Sequence, residues 1–345
     1  MDEGTDIGPY RIVRRIARGE RSEVLLARID GPHGFQRTVV LKRLVNQHAN
    51  DALRLRRLAA EAIAYARLSH SAIVRLYDFV LLEQAPTLVL EYVPGVSLEA
   101  LVRTKRDRGE RISDRDALYV ASRIFAALAA AHGARHPETG EFSPVVHRNV
   151  NPGNVLVSRH GEVKLGDFGM AHVPGVSDVT PTGTLLGTYG YMAPEQIVGD
   201  AITVRTDIYA AGLLLWELLA GRRAFRESLP ELEILQAMAE PQIPPIERIR
   251  PDLPPALYEA LGRALRSGAD ERIGARDMVE ALRTFVHDPE AKASLADDVG
   301  RGRGPASDAP PPSLVPSLPP MDGRIHLDAT ALHVIPSIDS AGEGL

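Results

Sequence analysis

Between residues 147 and 169 the chain reads His147-Arg148-Asn149-Val150-Asn151-Pro152-Gly153-Asn154, then Val155-Leu156-Val157, a turn at His160-Gly161, Val163-Lys164-Leu165 and finally Asp167-Phe168-Gly169. Two short aliphatic runs around a glycine turn predict a pair of strands. A polar loop precedes the first strand. Asp167 follows the second, where an aspartate can meet a metal ion bound to phosphates.

Upstream, residues 10–45 alternate in the manner of strands. Tyr10-Arg11-Ile12 leads to a polar, glycine-bearing loop at 17–22, then Val24-Leu25-Leu26-Ala27, a turn at Gly31-Pro32-His33-Gly34, and Thr38-Val39-Val40-Leu41. The pattern predicts three antiparallel strands. Residues 51–68 carry apolar side chains at 55, 58, 59, 62, 63 and 66, which is helical spacing. Two more strands fit 73–82 and 87–92, ahead of a turn at Pro94-Gly95. Downstream the pattern is helical, over 115–133, 205–220, 231–239, 255–266 and 275–286. The expected fold class is therefore α+β: a small β-rich lobe with one helix over 10–92 and a larger, mainly helical lobe over 93–287. Residues 1–9 read as an extension. From 288 periodicity is lost, and seven prolines between 304 and 320 predict an extended linker within a largely disordered tail. Apolar residues return over 325–338, which reads either as a docking peptide or as a plain disordered end.

Composition sets outer limits. Hydrophobic residues are 44% and charged residues 25%, the balance of a globular chain and not of a collagenous or disordered one. A net charge of −5 gives no support to a nucleic-acid partner. With no cysteine, disulfides, thiolate metal sites and cysteine nucleophiles are excluded. The start, Met1-Asp2-Glu3-Gly4, lacks the apolar core of a secretory signal, and the apolar run 210–220 is broken by Glu217 and too short to span a bilayer. A cytoplasmic location is the expectation.

Several further signals stand in a fixed order. Ala17-Arg18-Gly19-Glu20-Arg21-Ser22-Glu23-Val24 joins two strands and could lay backbone N–H groups over phosphates, although alone it is an ordinary hairpin loop. Lys42 ends the strand Val39-Val40-Leu41, and Glu61 lies mid-helix; singly these are an edge lysine and a solvated glutamate. After Asp167 come Gly187-Thr188-Tyr189, Ala193-Pro194-Glu195, Asp207 and Arg272. Over about residues 10–287 this succession resembles a eukaryotic-type bacterial serine/threonine protein kinase.

The resemblance implies a bilobal fold, ATP and magnesium as ligands, and protein substrates or regulated partner proteins. It implies that Lys42 holds the α- and β-phosphates and pairs with Glu61, while Asp167 and Asn154 hold magnesium. Ala17, Gly19, Ser22 and Val24 would cover the nucleotide. Val40, Leu90 as gatekeeper, Glu91, the backbone around Tyr92-Val93 and Leu156 would surround the adenine. His147 and Phe168 would stack with Tyr65 and Leu76. Asp207 would anchor the backbone of the 147–154 loop, and Glu195 would pair with Arg272. Arg148 could receive a phosphate on Thr180, Thr182 or Thr184; equally, those threonines populate a polar loop.

Within the 147–154 loop the family pattern breaks at two places. Asn149 stands where the resemblance requires the aspartate that accepts the proton of the attacking hydroxyl, and an amide cannot take a proton at neutral pH. Asn151 stands where a lysine contacts the transferring phosphate. Ala17 and Ser22 also replace loop glycines, and Val40 replaces a smaller alanine. Three functions remain open at this point: an ATP-binding pseudokinase, a slow serine/threonine kinase, and a nucleotide-independent scaffold that recruits partners through the proline-rich tail.

Overall fold

Aliphatic runs in the first 44 residues form β1 (Asp6–Ile7), β2 (Tyr10–Arg18), β3 (Ser22–Asp30) and β4 (Gln36–Leu44). With β5 (Leu76–Leu82) and β6 (Ala85–Glu91) they make one antiparallel sheet in the order β1-β2-β3-β4-β6-β5. The computed structural model describes residues 4–18, 22–44, 52–136, 138–168, 190–225 and 231–302. Because side chains alternate across a sheet, its two faces feed two cores. Val24, Leu26, Val40, Leu88 and Leu90 join the main apolar cluster, whereas Leu25, Ala27, Val39, Leu41 and Val89 form a second one. Helix α1 (Ala52–Ala66) follows β4 and buries Leu58, Ala62 and Tyr65 in the main cluster.

The extension expected over 1–9 is corrected in part. Asp6 and Ile7 pair with Arg11 and Tyr10, and Ile7 is fully buried in the second cluster, so this segment is a strand of the sheet. The Pro94-Gly95 turn is also corrected. Gly95 starts β7 (Gly95–Ser97), which pairs with β8 (Val155–Ser158), itself paired with β9 (Val163–Leu165). A Cβ on Gly95 would lie 1.9 Å from the Val157 carbonyl oxygen, so the close strand approach requires glycine.

Ser97 then caps α2 (Leu98–Asp107) by accepting from Ala100 N at 3.2 Å, and Ser113 caps α3 (Asp114–His132). Helix α2 was not anticipated, although Leu98, Leu101 and Val102 after a serine cap carry the signal. The remaining α-helices among the described residues are α4 (Pro194–Val198), α5 (Val204–Ala220), α6 (Glu231–Ala239), α7 (Pro255–Ala264), α8 (Ala275–Arg283) and α9 (Asp288–Arg301). Helix α5 is encased by the others, as its nearly continuous apolar sequence requires.

Helix α9 moves the boundary that was expected at 287/288. Ala291, Leu295 and Val299, spaced four apart, bury a narrow stripe in the main core. Ser294 Oγ donates to Asp116 Oδ2 of α3 at 2.8 Å, and Arg108 donates to the Arg301 carbonyl at 2.7 Å. Gly161 sits at φ 72°, and a Cβ there would meet the Lys292 carbonyl oxygen at 2.0 Å. The proline-rich stretch 304–320 and the apolar stretch 325–338 lie outside the described residues. Among the described residues no helix is long and apolar enough to cross a membrane.

Candidate functional site

Thr203 caps α5 and so places Asp207 in its first turn, where the helix dipole favours a negative charge. The buried Asp207 carboxylate gathers the 147–154 loop: Oδ2 accepts from His147 N at 2.9 Å and Oδ1 from Arg148 N at 2.7 Å. His132, the last residue of α3, brings its Nε2 to within 2.8 Å of Asp207 Oδ2. Arg148 adopts φ 66°, a left-handed conformation that a side chain disfavours. Its backbone is held on both sides, since Gln196 Nε2 also donates to the Arg148 carbonyl at 3.0 Å. The His147 ring lies between Gly166 O, at 2.9 Å from Nε2, and Asn149 N, at 3.3 Å from Nδ1. A ring that donates at one nitrogen and accepts at the other is neutral. Burial agrees, holding the His147 pKa below its ordinary value.

Amides dominate the rest of the loop. Asn151 Oδ1 accepts from Gly153 N at 2.8 Å, while its Nδ2 donates to Asn149 O at 3.0 Å and to Asn149 Oδ1 at 2.9 Å. Asn154 Nδ2 donates to the same Asn149 backbone oxygen at 2.8 Å. Gly166 N donates to Asn154 O at 2.9 Å, which ties Asn154 to the segment carrying Asp167.

Three ionic side chains meet across the lobes. Lys42, opposite Val24 on β3 and Leu88 on β6, donates to Glu61 Oε1 and Oε2 at 2.8 and 2.9 Å and to Asp167 Oδ1 at 2.8 Å. All three are at least nine-tenths buried. Two carboxylates thus share one ammonium out of water, a cluster short of positive charge. Burial pushes the Glu61 pKa up to about 7 against the pull of Lys42. Burial would lower the Lys42 pKa, but the charges of Asp167 and Glu61 outweigh it and hold the ammonium protonated. Asp167 is at φ 61° and donates its N–H to the Tyr65 hydroxyl at 2.7 Å. Phe168 then packs edge-on to Tyr65, ring centroids 5.5 Å apart, and against His147 at 4.6 Å. Leu76 packs on the same apolar cluster.

The apolar residues expected around a nucleotide base belong to the main apolar cluster. Val24, Val40, Leu90, Val93 and Leu156 are buried together in the main cluster, with Ala17 and Tyr92 at its margin; Val40 lies opposite Leu90. The Glu91 side chain is committed to Lys164 Nζ at 2.7 Å and Arg75 N at 3.1 Å, and its backbone N–H donates to the Arg75 carbonyl at 2.8 Å. Ser22 heads β3 opposite Leu44. Gly19, Gly169, Thr180, Thr182, Thr184 and Gly187-Thr188-Tyr189 lie outside the described residues.

Below the cleft, Glu195 and Arg272 form a buried bidentate pair at 2.6 and 2.8 Å. The remaining guanidinium protons reach the carbonyls of Arg266, Arg205 and Ser267, so all five donors are satisfied. Sequence reasoning missed the contacts of His132, Gln196 and Lys164, whose partners are remote in the chain and carry no local signal.

The donors present suit magnesium. Asn154 spends its Nδ2 on Asn149 and retains an oxygen acceptor, and Asp167, which follows the Gly166 bonded to the Asn154 carbonyl, supplies a carboxylate in a cluster of excess negative charge. Magnesium prefers such hard oxygens and completes its shell with water and phosphate.

The family model described as protein kinase domain matches residues 10–282. The tyrosine-protein kinase MasK of Myxococcus xanthus is 33% identical over 281 residues, covering 81% of this chain and 43% of that protein. The serine/threonine-protein kinase PknD of Mycobacterium tuberculosis is 33% identical over 270 residues, covering 78% of this chain and 38% of that protein. The chain thus spans about two fifths of the length of these relatives. Among solved structures, the Mycobacterium tuberculosis PknI kinase domain aligns with a TM-score of 0.58 and 26% identity, over 83% of this chain and 98% of that one.

Proposed function

The chain belongs to the protein kinase family, and on that premise we propose that it is an ATP-binding signalling protein with impaired phosphoryl transfer to protein hydroxyls. The observation that carries this reading is the contrast between an assembled site and its missing base. Lys42, Glu61 and Asp167 are joined, the Phe168 ring packs between those of Tyr65 and His147, and Val24, Val40, Leu90, Val93 and Leu156 are buried in one apolar cluster. In their midst Asn149 holds an amide where the chemistry needs a proton acceptor.

Under this reading Lys42 binds the α- and β-phosphates, Asn154 and Asp167 hold the metal, and those apolar residues receive the adenine. When bound, magnesium neutralises phosphate charge. Asp207 and Gln196 fix the strained backbone at Arg148, so the loop keeps its shape without a base. Loss of a positioned general base typically costs about 10²–10⁴ in rate. The same assembled triad favours a second reading, a slow serine/threonine kinase, because phosphoryl transfer depends chiefly on positioning and charge.

Labelled-ATP transfer to the protein itself and to a generic protein substrate, run for wild type, Asn149→Asp and Lys42→Met, separates the two. Silence in wild type with activity in Asn149→Asp supports the first reading. Wild-type transfer that Lys42→Met abolishes replaces it with the second.

A further inference from the structure

The hydrogen-bond polarity of the 149–154 loop is fixed from one end. Gly153 N–H can only donate, so the Asn151 atom 2.8 Å away is the carbonyl oxygen Oδ1. The other end of that carboxamide is then Nδ2, and its protons go to the Asn149 backbone oxygen and to the Asn149 side chain at 2.9 Å. An N–H needs an acceptor, so the Asn149 atom at that contact is Oδ1. The Nδ2 of Asn149 is therefore turned away from Asn151. A backbone N–H, relayed through one asparagine, sets which end of the next asparagine is free.

Residue 149 is half-buried, so its free end retains access to solvent. It is also bonded through its backbone oxygen to Asn154, whose own carbonyl accepts from Gly166 N, the residue just before Asp167. We propose that Asn149 donates a hydrogen bond to the terminal phosphate of a bound nucleoside triphosphate, and that Asn151 is the positioning residue that aims the donor. This rests on the nucleotide-binding reading above and deepens it. Phosphoryl oxygens are acceptor-only and anionic, so an amide N–H complements them and a carboxylate repels them. The exchange of acid for amide thus converts residue 149 from an acceptor of a hydroxyl proton into a reader of the third phosphate.

The test is calorimetric titration of the full chain with Mg·ATP and with Mg·ADP. Wild type is expected to favour ATP. Asn149→Ala lowers ATP affinity about tenfold, as loss of a hydrogen bond to a charged group does, and Asn149→Asp lowers it further, while ADP affinity stays within about twofold. Asn151→Ala, which frees the Asn149 amide to rotate, reduces the ATP:ADP ratio although residue 149 is unchanged. Asn149→Asp is isosteric, so a melting curve matching wild type confirms that it is folded. An ATP:ADP ratio unchanged in both Asn149 variants overturns the donor assignment while nucleotide binding stands. Absence of binding by wild type to either nucleotide overturns both.

Discussion

Lys105 on α2 and Asp298 on α9 meet at 2.6 Å with the lysine about one-tenth and the aspartate one twenty-fifth exposed. Together with Ser294–Asp116 and the Leu295 stripe, this pair makes α9 part of the folded domain.

Leu295→Ala is expected to cost about 2–5 kcal/mol, the range for emptying a leucine site in a core. Asp298→Ala is expected to cost about 1–3 kcal/mol, because it leaves the mostly buried Lys105 ammonium with only the longer 3.5 Å contact to Glu110. Urea unfolding of the full chain measures both. A loss under about 0.5 kcal/mol for Leu295→Ala would show that α9 is detached in solution.

Glu195 is buried, which favours its neutral form, but the Arg272 hydrogen bonds outweigh burial and hold its pKa below the usual glutamate value. A depressed carboxyl pKa gives stability that is present above the unfolded value, about 4.3, and lost as pH falls through the folded value. Glu195→Gln should therefore destabilise the chain at pH 7 and lose much of that penalty by pH 3. Unfolding midpoints across that range check it; a penalty independent of pH would contradict the ionic account.

At the triad the sign is opposite. Glu61 is pushed up to about 7, so between its ordinary value and 7 the folded chain holds a proton that the unfolded chain releases. Stability from this group is full at low pH and declines as pH rises through 7. The stability of wild type minus that of Glu61→Gln should fall between pH 5 and 8. A flat difference would mean that Glu61 is ionised throughout.

The same proton competes with metal-bound nucleotide, whose cation relieves the shortage of positive charge beside Asp167. Mg·ATP affinity should rise between pH 6 and 8, with proton release seen as a buffer-dependent heat. Uptake of a proton on binding would refute it. Lys42→Met, which leaves Glu61 and Asp167 unneutralised, should abolish the thermal shift with Mg·ATP.

Much of the fold is legible locally. The strands around Val24 and Val40, the helix carrying Glu61 and the encased helix at 204–220 all announce themselves by period and composition. Helix α9 does not, because its apolar stripe is one residue wide and four of its fourteen residues are acidic. It is held by docking on α3, Lys105 and Arg108, a tertiary term that no window of sequence contains. Gly95 reads as a turn for the same reason: its strand partner, Ser158, lies sixty-three residues on.

The sequence by itself determined which chemical groups are available: a lysine, a glutamate and an aspartate in family order, and an amide at 149 in place of an acid. Side-chain identity is a covalent fact and needs no folding. The tertiary structure alone decided how those groups face one another. It placed two carboxylates on one ammonium, set the buried His147 ring between a carbonyl and an N–H, and bonded the Asn149 side chain through Asn151 to the Gly153 N–H. Burial and hydrogen-bond direction depend on neighbours brought together from distant parts of the chain, so they exist only once the chain has folded.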